Sequence, residues 1–158
     1  MNKQIVVAAV SLGLAVPVAA QIARGEAKAT MAGKSVSIEY GRPSLQGRDM
    51  MGKAEVGQPW RMGADAATAL KTEADLDFSG VRVPKGDYVL TATKVDAEQW
   101  TLNVLGKDGA KTAEIPLTSA KLPASVETFI IELKGEKDRG EFSMSWGTTA
   151  MKAPFTAK

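Results

Sequence analysis

Short runs in which apolar and polar side chains alternate with a period of two recur from Lys34 to the C-terminus, and this pattern restricts the fold more than composition does. Val36, Ile38 and Tyr40 alternate with Ser35, Ser37 and Glu39, which puts three apolar side chains on one face of a strand. Gly86 to Val95 holds Tyr88, Leu90 and Ala92 on one face, and Gln99 to Leu105 holds Trp100, Leu102 and Val104. Val126 to Lys134 sets Phe129, Ile131 and Leu133 together, and Glu141 to Gly147 sets Phe142, Met144 and Trp146. Ala69 to Phe78 alternates loosely, Thr112 to Thr118 reads as a weaker strand, and Thr148 to Phe155 as a last one. Pro84-Lys85-Gly86, Lys107-Asp108-Gly109 and Asp138-Arg139-Gly140 supply turns between them. No stretch of 3.6-residue period intervenes. About seven to nine short strands at roughly ten-residue spacing predict an all-β chain, an antiparallel β-sandwich, jelly-roll-like, rather than a parallel α/β sheet.

The first 20 residues read differently. A short positive start at Met1 to Lys3 precedes an apolar run from Ile5 to Val16 and the small residues Val18 and Ala20. That is the layout of a signal peptide cleaved near Ala20, with residues 21–33 as a flexible N-terminal arm and residues 34–158 as one domain. Gln21 and Arg24 cut the apolar run short of the roughly 20 residues a membrane helix needs, so no membrane span is expected in the mature chain. The expected address is periplasmic or secreted.

Composition then removes much chemistry. The 158 residues include no cysteine and no histidine, which excludes disulfides, thiol and imidazole nucleophiles, ordinary zinc sites and a Ser-His-Asp triad. Twenty Lys and Arg stand interspersed with 18 Asp and Glu, so no basic footprint for nucleic acid emerges.

One stretch fits neither period. Gly41 to Ala67 carries five glycines and two prolines in 27 residues, an excursion long enough to be functional or to hide an element. Gly47 to Ala54 is the place for a helical turn or a short edge strand. The stretch also holds Arg42, Arg48, Asp49, Trp60, Arg61 and Asp65, which makes it the place to seek a ligand site. Its wording is distinctive: Tyr40-Gly41-Arg42-Pro43-Ser44, Gly47-Arg48-Asp49, and Trp60-Arg61-Met62-Gly63-Ala64-Asp65-Ala66-Ala67-Thr68. Together with Val83 to Tyr88, Gln99-Trp100-Thr101-Leu102 and Gly140 to Phe155, these motifs resemble the bacterial domain-of-unknown-function family 2911 over about Lys34 to Phe155. The resemblance implies an exported bacterial protein and carries no activity with it. Two departures accompany it, Asp65 where the family commonly shows Asn, and Leu90-Thr91-Ala92-Thr93 in a strand where many members carry His or Phe.

Several chemistries compete for these residues. Arg42, Arg48, Arg61 and Asp65 can form a grip for a carboxylate, phosphate or sulfate with Trp60 as a stacking face. Equally, the arginines can donate to loop carbonyls and tether the excursion, and the tether is the favoured reading. Trp100 and Trp146 share faces with apolar neighbours and read as core rather than as a sugar platform, which leaves Trp60 uncommitted. Met50, Met51 and Met62 invite a copper site and Asp75-x-Asp77 a calcium one, but without His, Cys or a complete calcium loop no metal and no cofactor is expected. Thr118-Ser119-Ala120-Lys121 lacks the Ser-x-x-Lys order of a nucleophile motif.

The leading expectation is therefore a non-catalytic binding or accessory module for a small anionic molecule, a glycan or an exported protein segment. A cofactor-free enzyme using Asp49, Asp65 or another carboxylate of the excursion is the first alternative. A structural partner that docks another exported protein by β-augmentation is the second.

Overall fold

A computed structural model describes residues 22–158, so the expected signal peptide lies outside the described residues. The described chain is all-β, with ten strands and every strand pairing antiparallel. They are β1 Arg24–Met31, β2 Lys34–Gly41, β3 Pro59–Trp60, β4 Thr68–Thr72, β5 Leu76–Phe78, β6 Val81–Val83, β7 Gly86–Lys94, β8 Trp100–Leu105, β9 Lys111–Glu136 and β10 Arg139–Ala157. The hydrogen bonds run along one path, β1-β2-β4-β7-β8-β9-β10-β5-β6, with β3 added beside β7. The strands thus form the expected all-β antiparallel structure, as one continuous sheet that curls until β1 meets β9.

The curl is made by two strands much longer than the period predicts. In β9, Lys111 to Leu117 pairs with β8, Thr118 to Lys121 with the second half of β10, and Val126 to Glu136 with the first half of β10. Thr112 to Thr118 and Val126 to Lys134, expected as separate strands, are therefore one. Gly147 marks the register shift in β10, with a φ of 61° that suits glycine. Ala69 to Phe78 does the opposite and splits. Thr72 Oγ1 bonds both backbone groups of Ala74, and Asp75 exchanges backbone hydrogen bonds with Lys158, so the chain leaves β2 and joins β10 as β5.

The N-terminal arm is a correction. Residues 24–31 form β1, paired with β2 along its whole length, rather than a flexible segment. Its inward face is Ala27, Ala29 and Met31, a weak apolar signal because two of the three are alanine. The far half of β9 and the start of β10 pass close to this face, at glycines. A Cβ at Gly135 would lie 2.6 Å from Met31 Cγ, and one at Gly140 would lie 2.5 Å from Met31 Sδ. Ala32 N–H donates to Lys137 O across the same contact. The curled sheet encloses a core rich in Phe129, Ile131, Phe142, Met144, Leu90, Leu102 and Met151.

At the turn from β6 to β7, Tyr88 Oη donates to Pro84 O at 2.6 Å, closing Pro84 to Tyr88. Burial and then the nearby Asp75 carboxylate raise the Tyr88 phenol above its ordinary pKa. A raised phenol favours the folded state below the unfolded-state pKa of about 10, and that contribution is lost as the pH climbs through the folded value. In a Tyr40→Phe variant, where Tyr88 is the sole tyrosine, ultraviolet titration is expected to show tyrosinate forming above pH 10, and a midpoint at or below that value would contradict the assignment.

Candidate functional site

The long excursion is held to the sheet by its own motifs. Tyr40 Oη donates to Ile131 O, Arg42 Nε donates to Phe129 O, Phe129 N–H donates to Pro43 O, and Leu45 N–H donates to Glu127 O. Ser44 forms a bridge with Thr128, their hydroxyls 3.2 Å apart. The segment from Tyr40 to Leu45 thus covers the edge of β9 that β10 leaves open. Arg48 donates to Leu45 O and Ser44 O, and Arg61 donates to Asp65 O. All three arginines spend donors on backbone carbonyls, the arrangement of a tether. None forms an ion pair with Asp49 or Asp65 among the described residues.

The second motif is a compact loop between β3 and β4. Thr68, fully buried, donates from Oγ1 toward Arg61 O and Met62 O, and Gly63 and Ala64 lie against Gly41. Asp65 has a φ of 63°, a left-handed conformation that Asp and Asn tolerate better than other residues with a side chain. Its backbone carbonyl accepts from Arg61.

Between the excursion and the sheet opens a cleft of about 420 Å³. Trp60, Trp100 and Trp146 line it with Met50 and Met51, and Arg48, Asp49, Lys53, Glu55 and Gln58 add polar groups. Trp60 reaches it from β3, which pairs Trp60 with Ala92 of β7 and continues the line of β4 along that strand. Met50 to Lys53 forms one helical-type turn, closed by Lys53 N–H to Asp49 O and by Gly52 N–H to Asp49 Oδ1. The expected helical turn is therefore present, and the short strand lies later, at Pro59–Trp60.

The aromatic rings form one cluster. Trp60 stacks on Trp146 with centroids 5.8 Å apart and planes 12° from parallel. It meets Phe129 edge-on at 5.2 Å and Trp100 edge-on at 6.3 Å. Tyr40 meets Phe129 at 5.6 Å, and Trp146 Nε1 donates to Glu127 O. Trp100 and Trp146 are each 3% exposed, core residues as their strand faces predicted, yet both border the cleft. Trp60 remains half-buried.

Of the five residues proposed from sequence for a ligand, Arg48 and Trp60 line the cleft, whereas Arg42, Arg61 and Asp65 lie outside its lining. Asp49 lines it without Asp65, so those two carboxylates do not share a pocket. Met50 and Met51 reach it, but Met62 is buried in the core. Asp75 Oδ1 accepts from Lys85 N–H and Asp77 Oδ1 from Gly80 N–H, so both serve turns. Among the described residues no three acidic side chains gather around one point. Sequence reasoning assigned Trp100 and Trp146 to core alone and passed over Gln58. A strand period marks which face is buried, and it does not mark where the burying partner leaves a gap.

No curated protein and no solved structure matches the chain. The match that does exist, to the family described as "Protein of unknown function (DUF2911)", runs over residues 23–155 and takes in β1, both motifs of the excursion and most of β10, so the chain belongs to that family.

Proposed function

We propose that this protein is an exported, non-catalytic binding module whose tryptophan cleft receives a ligand with a flat apolar face and a hydroxylated rim, a sugar unit of a glycan. The observation that carries this reading is the convergence of three indoles on one open cleft with Asp49, Glu55, Gln58 and Arg48 beside them. Binding clefts are typically apolar with a few placed polar groups, and an indole face buries much area at little cost in conformational entropy. Pyranose rings offer a matching apolar side, while carboxylate and amide groups suit their hydroxyls. A catalytic reading has less support, because Asp65 is outside the cleft and Asp49 Oδ1 is engaged by Gly52 N–H. Export enters through the signal-peptide pattern of residues 1–20.

Titration of neutral and acidic oligosaccharides against the purified protein, followed by tryptophan fluorescence, tests it. Saturable quenching is expected for at least one glycan, with Trp60→Ala weakening it by at least about tenfold, the loss of a central aromatic anchor. Gln58→Ala, at an exposed position, is expected to weaken it less while melting like the wild type. Absence of saturation with every glycan, or equal affinity in both variants and the wild type, would overturn the proposal.

A further inference from the structure

A second cavity, of about 360 Å³, lies on the other side of Met51 and Trp100 from the tryptophan cleft. Its lining is different in kind. Lys94, Ser119, Lys121 and Thr149 contribute hydrogen-bond donors, and Glu98 is the one acidic side chain.

Two of these residues break the strand pattern at the same end of the sheet. On β7 the inward face runs Leu90, Ala92, Lys94, and on β9 it runs Ala113, Ile115, Leu117, Ser119. Trp100 of β8 pairs with Lys94 on one side and Leu117 on the other, so the two polar residues end the inward rows of the strands that flank β8. Lys94 is only 8% exposed. Its Nζ donates to Gly52 O at 3.1 Å and to Met51 O at 3.4 Å, which leaves a third N–H, and no carboxylate oxygen comes within 4.0 Å among the described residues. Ser119 Oγ is closed off from solvent and has no hydrogen-bond partner. A buried cation without a counter-charge and a buried hydroxyl without a partner are both costly, and buried charges are ordinarily paired. A negatively charged acceptor would answer both, as counter-charge to the ammonium and as partner to the hydroxyl. Ser119 lines the cavity, so rotation about χ1 is the motion that would present its hydroxyl to an acceptor there.

We propose that this cavity is a binding site for a small oxyanion, a carboxylate or phosphate group, held by Lys94 Nζ, Ser119 Oγ and Lys121. The cavity shares Met51 and Trp100 with the tryptophan cleft, and none of its three proposed donors lines that cleft. The Met50 to Lys53 turn roofs it, because Lys94 holds the carbonyls of Met51 and Gly52 while keeping a donor for the anion. Lys121 is exposed at the mouth and brings the second positive charge.

Inorganic phosphate and acetate, each titrated against the purified protein with chloride at matched ionic strength as the control, test this by amide shifts in two-dimensional NMR. Saturable shifts are expected around Lys94, Glu98 and Ser119 to Lys121 with phosphate or acetate and not with chloride, and the anion that saturates separates a phosphate site from a carboxylate site. Ser119→Ala, which deletes the orphan hydroxyl, is expected to melt higher than the wild type in chloride and to bind the oxyanion about tenfold more weakly or worse, the loss of a hydrogen bond to a charged group. Trp60→Ala is expected to leave this binding unchanged, which separates failure here from failure of the glycan reading. Should Ser119→Ala not fold, Lys121→Met at its exposed position carries the same test. Shifts that chloride reproduces, no saturation with either anion, or undiminished affinity in the Ser119 or Lys121 variant would overturn the proposal.

Discussion

Alanine at position 41 is expected to destabilise the protein by about 3 kcal/mol, at the upper end of what forced overpacking costs, and to lower its melting temperature by about 10 °C. The cause is backbone against backbone. A Cβ on Gly41 would sit 2.2 Å from Ala64 O and 2.8 Å from Ala64 N. No side chain can swing aside to relieve that contact. The facing Gly63 is under the same restriction, since its own Cβ would lie 2.7 Å from Gly41 O, and its φ of 143° is disfavoured for any side chain. Gly47→Ala is the control, with a φ of 77° and nothing within 4 Å of the added carbon, so only the left-handed backbone cost of about 1 kcal/mol applies. Urea melts of the two variants decide the matter. If Gly41→Ala loses no more than Gly47→Ala, the two motif loops do not cross as closely as described.

That crossing explains why the two motifs were visible in the sequence before their purpose was. Tyr40 to Ser44 and Trp60 to Thr68 stood out as dense strings of Gly, Arg and Pro, yet nothing local revealed that they meet each other and β9. Their hydrogen bonds span long loops of chain, as in Arg42 to Phe129 or Tyr40 to Ile131. The strands with a strongly apolar face, β2, β7 and β8, were legible to within a residue or two. β1 was not, because two of its three inward residues, Ala27 and Ala29, are alanine and leave only a weak apolar alternation. β9 was legible only as two pieces, since Ser119 to Ser125 loses its alternation where the strand changes partners and side of the sheet. The candidate cleft was half legible for a related reason. Arg48 and Trp60 announced themselves inside an aperiodic stretch, whereas Trp100 and Trp146 sat within regular strands whose period gave no cause to look further.

Phe129→Ala is expected to cost about 4 kcal/mol, in the range for emptying a buried aromatic site, and to disorder the tryptophan cleft along with the fold's centre. Phe129 is 1% exposed and its ring is the common neighbour of Tyr40, Trp60 and Trp146, at 5.6, 5.2 and 5.7 Å. Its backbone bonds to Pro43 and Arg42 do not need the ring, so the tether of the excursion survives in the variant while the wall behind Trp60 is lost. Near-ultraviolet circular dichroism, which reads the packing of the three indoles, is therefore expected to collapse well below the midpoint of unfolding. Phe129→Leu keeps most of the volume and should cost under about 1.5 kcal/mol if filling space is what the ring contributes. If leucine instead loses as much as alanine, the edge-on contacts to Tyr40 and Trp60 hold the cluster, since such aromatic pairs add about 0.5–1.5 kcal/mol each beyond the area they bury. In that case Trp60 owes its position to ring geometry, and ligand affinity at the cleft should fall in the leucine variant even where the fold is kept.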